Sequence, residues 1–344
     1  MFELSICIPT YNRAEFLKEA IESVLLQLDD DTYSKVEIVI SDNCSTDNTV
    51  GIIELLRNKY PKSNIVFSAC DMNQGPDRNF LRAIKLSSGK YCWFLGSDDK
   101  VVDGAVDRIL NEIKNGHTVY LSDRYNAECE TMNIIGIQRF WGEELISDCV
   151  FTFRNEKDWD FYLNRCKALG ALFSYISTIV FCKYQWDQIP ETKYSSFIGT
   201  AYVHVAVLLE ILKNNKESSL KYLCSPIAIN RTGNDSFMET RYQRTMLDIN
   251  GYIMLSDLFD DSNYTRIGIR NVLKREYQII SWGLIITTKN SEFSDLIKKL
   301  KLIGYPNKEL SHFIMLRKHR ILSLCIYVLY TFSKRIKRKN DDSV

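Results

Sequence analysis

Two adjacent aspartates, Asp98 and Asp99, directly follow an apolar run that predicts a β-strand over residues 91–95. An open α/β sheet binds its ligands beyond the carboxyl ends of its strands, so both carboxylates are expected at a ligand-binding edge. Two desolvated acids are costly without a cation, and Mg²⁺ binds through one or two carboxylates together with substrate phosphates. The pair therefore predicts a metal site for a diphosphate, although a helix cap before residue 103 would use the same residue types.

Polar side chains also follow three other predicted strands, which cover residues 4–8, 36–40 and 65–68. Tyr11 offers a ring on which a nucleobase could stack. Asp42 could accept hydrogen bonds from a pyrimidine, and Arg78 could neutralise a diphosphate or reach the base. Each of these residues would also suit an ordinary turn or helix cap. Their recurrence at successive strand ends favours one shared nucleotide site.

The first 125 residues alternate between strand-like and helix-like patterns, which is typical of a mainly parallel sheet with helices on both faces. Helices are predicted over residues 14–28, 46–60, 77–86 and 104–114, and a further strand over 118–122. The aromatic-rich middle predicts strands within 171–182, a helix over 200–212 and a loop over 229–237. From about residue 241 the pattern is helical to the end.

Composition narrows the class of protein. The 344 residues carry a net charge of +1, and none of the ten cysteines forms a Cys-x-x-Cys pair, so buried reduced thiols are expected. No glycine-rich phosphate loop of the dehydrogenase or kinase type is present, and no nucleic-acid-recognition module accompanies the basic residues. Neither a leader peptide nor an apolar run of about 20 residues is recognised, which predicts a cytoplasmic protein.

Four segments together resemble family 2 glycosyltransferases of the GT-A fold, which is Rossmann-like. They cover residues 5–13, 40–47, 73–79 and 96–99, within the N-terminal third. The resemblance implies that Pro9, Tyr11, Asp42 and Arg78 line a nucleotide pocket, with Arg13 and Asp77 of the same motifs among the nucleotide-sugar-binding residues. It implies that Asp98 and Asp99 hold ribose, diphosphate and a divalent Mg²⁺ or Mn²⁺. Gly96 stands where relatives often carry another aspartate, and Asp99 is favoured as the metal ligand.

The residue pattern and the resemblance together predict three regions. Residues 1–125 would form the nucleotide-sugar-binding half of the GT-A domain and residues 126–240 the acceptor-binding half. Residues 241–344 would form a helical C-terminal region with a basic amphipathic tail.

Further segments scattered over residues 1–240 are similar to the family of abequosyltransferases of O-antigen assembly, including 75–81, 91–99, 162–166, 173–177, 198–204 and 234–237. This similarity implies transfer of a 3,6-dideoxyhexose such as abequose from a CDP-sugar to a polyprenyl-diphosphate-linked oligosaccharide. Two alternatives stay open. One is a transferase using a UDP- or dTDP-sugar, and the other is a non-catalytic relative that binds glycan or nucleotide.

Inverting transfer needs a general base near the acceptor hydroxyl. Relatives often place an acid where this chain reads 198–204 without one, so His204 is the predicted base or a third metal ligand. A buried structural histidine is the alternative, and Asp187 or Asp160 could replace it as base. Arg231 is predicted to stabilise the leaving group from a lid loop over residues 230–236.

The C-terminal tail is strongly basic. Residues 315–340 contain eight lysines and arginines and no acid, and they flank an apolar run over 321–332. That run is too short to span a bilayer, but it could lie at an anionic membrane surface. Peripheral attachment to the inner face of the cytoplasmic membrane is therefore predicted, and a core helix with a solvated charged end is the alternative.

Overall fold

The computed structural model describes residues 1–234, 241–260, 264–277, 284–285 and 288–319. Most of the predicted basic tail, including the apolar run over 321–332, lies outside these described residues. The end of the predicted lid, from residue 235, lies outside them as well. Within the described ranges, no helix has the length and apolar character needed to cross a membrane.

One large mixed sheet organises the molecule. Its strands run in the order β3-β2-β1-β4-β9-β6-β10-β5, with β7 paired to β6 and β8 paired to β10. Strands β1 to β4 are parallel to one another, whereas β9 pairs antiparallel with both β4 and β6. The strands are β1 (Leu4–Thr10), β2 (Val36–Asp42), β3 (Ile65–Ala69), β4 (Tyr91–Phe94), β5 (Lys100–Val101), β6 (Val119–Ala127), β7 (Ile134–Gln138), β8 (Cys149–Thr152), β9 (Ile179–Cys182) and β10 (Ser219–Arg231).

Helices cover both faces of the sheet, because alternate strand residues point to opposite faces and both sets are apolar. Leu4, Ile6 and Ile8 pack in one buried cluster, and Cys7 between them belongs to the other. The helices are α1 (Ala14–Leu25), α2 (Thr49–Lys59), α3 (Pro76–Leu86), α4 (Ala105–Glu112), α5 (Glu156–Arg165), α6 (Lys183–Asp187), α7 (Val203–Asn214), α8 (Arg241–Ser256), α9 (Tyr264–Tyr277), α10 (Asn290–Leu302) and α11 (Asn307–Lys318).

The predicted β-α alternation of the first 125 residues is confirmed. One buried strand lies within the run 171–182, over Ile179–Cys182, as expected, and the rest of that run is mostly single 3₁₀ turns. The loop expected over 229–237 is wrong at its start. The stretch from residue 229 begins inside β10, a 13-residue strand that pairs with β6, β8 and β5. Because β6 runs from residue 119 to 127, the two halves predicted to meet at 125 share one sheet.

Candidate active site

A cleft opens at the carboxyl ends of β1 and β4. It comprises two adjoining cavities of about 260 and 180 Å³. Both cavities are lined by Arg13, Pro76, Phe80, Gly96, Asp98 and Ile176. Pro9 and Tyr11 line the first cavity, and Asp99, His204 and Arg231 line the second. The structure therefore brings most of the predicted site residues to one edge of the sheet.

The loops after β1 and β2 are tied to each other at this edge. Asn12 has a φ of 51°, in the left-handed region, and its side-chain oxygen accepts the backbone N–H of Thr46 at 2.7 Å. Its own N–H donates to Ser45 Oγ at 2.8 Å. A carboxylate oxygen of Asp47 accepts the N–H of Ala14 at 2.8 Å, at the start of α1. These reciprocal bonds offset the unfavourable backbone conformation and fix the rim beside Tyr11.

Asp42 lies at the end of β2, directly opposite Thr10 of β1. Its carboxylate is buried and accepts the hydroxyl of Ser45 at 2.5 Å and the backbone N–H of the same residue at 3.2 Å. The side chain therefore supports the loop behind the first cavity, and Asn43, the next residue, contributes to the lining.

Asp98 forms an ion pair with Arg13, whose guanidinium lies 2.5 Å from one carboxylate oxygen. The same oxygen accepts the side-chain N–H of Asn234 at 2.8 Å. Both charged side chains are mostly shielded from solvent, with exposed fractions of 15% and 18%, so water screens the pair less than a surface pair. Arg13 thereby brings a fixed positive charge to the mouth of the cleft.

Asp99 is buried, and Ser177 holds its carboxylate. The Ser177 hydroxyl donates to one carboxylate oxygen at 2.5 Å and accepts the N–H of Gly96 at 2.8 Å. Burial, and next the charge of Asp98, raise the pKa of Asp99 to about 6. A Cβ at position 96 would lie 2.6 Å from the Asp99 carboxylate, which explains why this chain carries glycine there.

The two carboxylates fit the predicted divalent cation. They offer the oxygen ligands that Mg²⁺ and Mn²⁺ prefer, and neighbouring ionised acids in a shielded site favour a cation between them. Within the described ranges no group of three histidine, cysteine, aspartate or glutamate side chains is placed to hold a metal. Mg²⁺ commonly completes its shell with water and substrate phosphate, so two acids are sufficient.

Arg231 is not part of a lid. It is the last residue of β10, its side chain is 2% exposed, and its guanidinium pairs with Glu19 at 2.8 Å. The same group donates to the carbonyl oxygens of Asp98 and Cys129 and lies over the ring of Phe16. Strand pairing and burial thus fix the side chain beneath the aspartate pair, which corrects the predicted mobile position.

The structure also corrects the placement of two residues on α3. Asp77 lines neither cavity of the cleft, and its carboxylate accepts the backbone N–H groups of Gly199, Ala201 and Val203 at 2.7, 2.9 and 3.2 Å. It therefore fixes the turn that begins α7, and burial raises its pKa. Arg78 is exposed and lines a separate groove of about 490 Å³.

His204 is buried between the rings of Phe80 and Phe94, and its Nε2 lies 3.0 Å from the carbonyl oxygen of Phe173. A carbonyl only accepts, so Nε2 carries the proton. Burial lowers the pKa of the imidazole to about 4. Phe173 has a φ of 65°, and the contact stabilises this turn. The geometry favours a positioning role over that of base or metal ligand.

The two alternative bases lie away from the cleft. Asp187 pairs with Lys183 at 2.6 Å beside the Arg78 groove, and Asp160 is an exposed residue of α5. Tyr175 lines the second cavity and Ser177 donates to the Asp99 carboxylate, both from the turns after Phe173. Neither was predicted as a site residue. The segment 173–177 stands out only by its similarity to abequosyltransferases, and serine and tyrosine in an apolar run do not by themselves indicate such a role.

Comparisons with known proteins agree with this architecture. Residues 5–183 match the family model described as Glycosyl transferase family 2. The chain is 33% identical over 337 residues to the abequosyltransferase RfbV of Salmonella typhimurium, covering 97% of this chain and 99% of the relative. It is also 28% identical over 117 residues to a GalNAc(5)-diNAcBac-PP-undecaprenol beta-1,3-glucosyltransferase of Campylobacter jejuni, covering 34% of this chain and 36% of that protein.

The fold has solved counterparts. The crystal structure of Staphylococcus aureus TarS 1–349 in complex with UDP-GlcNAc aligns with a TM-score of 0.61 and 19% identity, covering 94% of this chain and 88% of that one. A second TarS structure, in complex with UDP, aligns with a TM-score of 0.60 and 18% identity over 94% and 87%. The GT-A-like fold expected from the motifs is therefore confirmed. On the family model and the near full-length relative, this chain belongs to glycosyl transferase family 2.

Proposed function

We propose that this glycosyltransferase moves a 3,6-dideoxyhexose such as abequose from a CDP-sugar to a polyprenyl-diphosphate-linked O-antigen oligosaccharide. The observation that carries the proposal is the 33% identity to an abequosyltransferase, which extends over 97% of the chain and so includes the helices after the sheet. Shared ancestry confined to the nucleotide-binding half would have supported only the donor side of this reaction.

The cleft has the groups that a nucleotide-linked sugar requires. Tyr11, which is 43% exposed at the rim of the first cavity, offers its ring face to the base. Pro9 stiffens the turn beneath it. Arg13 lies between the two cavities, where its charge would stabilise the diphosphate as it leaves.

Asp98 and Asp99 would hold a divalent cation, which supplies electrostatic stabilisation of the leaving diphosphate when bound. Asp99 is the inner ligand in this proposal, since Ser177 and Gly96 fix its position. Asp98 is the outer ligand, and Arg13 balances its charge. His204 would act by holding the Phe173 turn, which leads to Tyr175 and Ser177.

Nucleotide selectivity and metal dependence can be measured in one thermal-shift panel. The protein is heated with CDP, UDP, GDP or dTDP, each with Mg²⁺, Mn²⁺ or EDTA. We expect CDP with metal to stabilise most, since a ligand at a hundredfold its Kd adds about 2.7 kcal/mol. Asp99→Asn should lose the metal-dependent part, whereas Asp103→Asn, an exposed aspartate of the same segment, should keep it.

Transfer itself is tested with CDP-abequose and a lipid-linked O-antigen oligosaccharide. Formation of the extended glycolipid together with CDP supports the proposal. If UDP or dTDP stabilises the protein more than CDP, the protein is still a transferase but its donor is a UDP- or dTDP-sugar. If it binds a nucleotide but turns over no sugar nucleotide, it is a non-catalytic binding protein.

Peripheral membrane association belongs to the same proposal, because a lipid-linked acceptor lies at a membrane surface. Its support is the sequence alone, namely eight basic residues and no acid over residues 315–340. Full-length protein should float with anionic phospholipid vesicles, less so in high salt. A chain lacking residues 315–344 that floats equally well would remove the tail from the proposal.

A further inference from the structure

A third chamber, of about 170 Å³, lies next to the cleft. It shares Ser174, Tyr175 and Arg244 with the second cavity, so the two spaces are neighbours across Tyr175. Its walls come from β6 and β7, from the turns at 168–175, and from helices α8 and α9. The chamber therefore combines the sheet with the C-terminal helices.

Two polar groups of this chamber have no hydrogen-bond partner among the residues that the structure describes. The Arg124 guanidinium lies 4.0 Å above the ring of Tyr175, and its buried Nε has no hydrogen-bond partner in the described part of the chain. The buried hydroxyl of Tyr175 also makes no direct hydrogen bond within the described residues. Burial, and next the charge of the neighbouring Asp99, raise the pKa of this hydroxyl. Unpaired buried donors destabilise a fold, so a bound molecule that accepts from them would recover that free energy.

The charges of the chamber balance. Arg124 and Arg244 are matched by Asp248 and Glu276, and Gln138 adds an amide. Glu276 accepts the N–H of Leu169 at 2.9 Å, and Asp248 accepts the hydroxyls of Tyr202 and Tyr277. A phosphate site would carry excess positive charge. Balanced donors and acceptors beside an aromatic ring instead match an uncharged, hydroxyl-rich ligand.

We propose that this chamber binds a neutral hexopyranose unit of the acceptor, an inference that rests on the glycosyltransferase function proposed above. Arg124 donates to the sugar hydroxyls, Glu276 accepts from them, and the Tyr175 hydroxyl orients the unit toward the donor cleft. The ring of Phe140 lines the chamber and offers an apolar surface to the sugar. Because Glu276 belongs to α9, the C-terminal helices take part in acceptor recognition.

The probes are methyl glycosides of mannose, galactose and glucose, observed by saturation-transfer NMR in the presence of CDP and Mg²⁺. Wild-type protein should bind at least one of them. Arg124→Gln and Glu276→Gln should each weaken that binding by about tenfold or more, as expected when a hydrogen bond to a charged group is lost. Glu143→Gln, which makes the same chemical change at a 93% exposed glutamate, should bind like the wild type.

Two results would overturn the inference directly. One is that Arg124→Gln and Glu276→Gln bind the glycoside as tightly as the wild type. The other is that no glycoside binds the wild type although CDP does. Variants that weaken CDP instead would assign the chamber to the donor, and displacement of the glycoside by inorganic pyrophosphate would make it an anion site. If no nucleotide binds the wild type, the proposed function itself fails. Should Arg124→Gln not fold, Tyr175→Phe removes one hydroxyl and carries the same expectation.

Discussion

Replacing Asp99 by asparagine should remove the loss of folding stability that this carboxyl causes as the pH rises to neutral, and should also remove transferase activity. Burial and the neighbouring Asp98 raise the pKa of this carboxyl from 3.8 to about 6. Because the folded-state pKa lies above the unfolded value, folding favours the protonated acid. The stabilisation is fully present below about pH 4 and is lost as the pH rises through about 6.

The size of the effect follows from the shift. About two pH units correspond to about 3 kcal/mol of lost stability at neutral pH. About 2 kcal/mol of this develops between about pH 4.5 and 7.5. Asparagine is neutral throughout, so the difference in unfolding free energy between variant and wild type should change by that amount in favour of the variant. A constant cost of placing an amide beside Ser177 cancels in this comparison.

Urea unfolding of the ligand-free protein at both pH values measures the difference, with metal removed by EDTA. Asp103→Asn serves as the matched control, because it makes the same chemical change at an exposed position four residues away. A stability difference between Asp99→Asn and wild type that is equal at the two pH values, within about 0.5 kcal/mol, would refute the reasoning.

Three further perturbations address the same site. Ser177→Ala removes the hydrogen bond that lowers the pKa of Asp99, so the acidic limb of the pH–rate profile should move to higher pH. A limb at the wild-type pH would contradict the contact between Ser177 and Asp99. Gly96→Ala places a methyl group 2.6 Å from the Asp99 carboxylate, so turnover should fall by about tenfold or more. The control Gly136→Ala adds a methyl group in open space on β7 and should stay active. His204→Phe should lower turnover and Tm but leave the shape of the pH–rate profile unchanged between about pH 6 and 9, because a group with a pKa of about 4 does not titrate there. If the variant instead loses the acidic limb of that profile, His204 acts as the general base.

The first 125 residues could be predicted well because a local residue pattern determines each element. Strands β1 to β4 are short apolar runs that end in polar loops, and the intervening helices carry a regular apolar spacing. Asp98, Asp99, Pro9 and Tyr11 reach one cleft because parallel strands bring their carboxyl ends to one edge.

Contacts between distant segments could not be predicted in this way. Strand β10 contains Pro226 and changes its register on β6 between Leu223 and Ala228, so its residue pattern is irregular. Asp77 and Arg78 are adjacent in sequence but lie about 100° apart around α3. The direction in which each side chain points depends on how that helix packs against α7, and no local pattern predicts this.

Because the antiparallel β9 lies between β4 and β6, the nascent chain cannot complete its sheet in order of synthesis. The edge of β4 that pairs with β9 stays unpaired until about 90 more residues have been synthesised. The edge of β6 that pairs with β10 stays unpaired over a still longer stretch of synthesis. At about 5–20 residues per second, this interval lasts about 5 to 20 seconds, during which an open strand edge can pair with another chain. The sheet is therefore complete only after residue 231 has been synthesised, and until then the N-terminal strands keep an open edge.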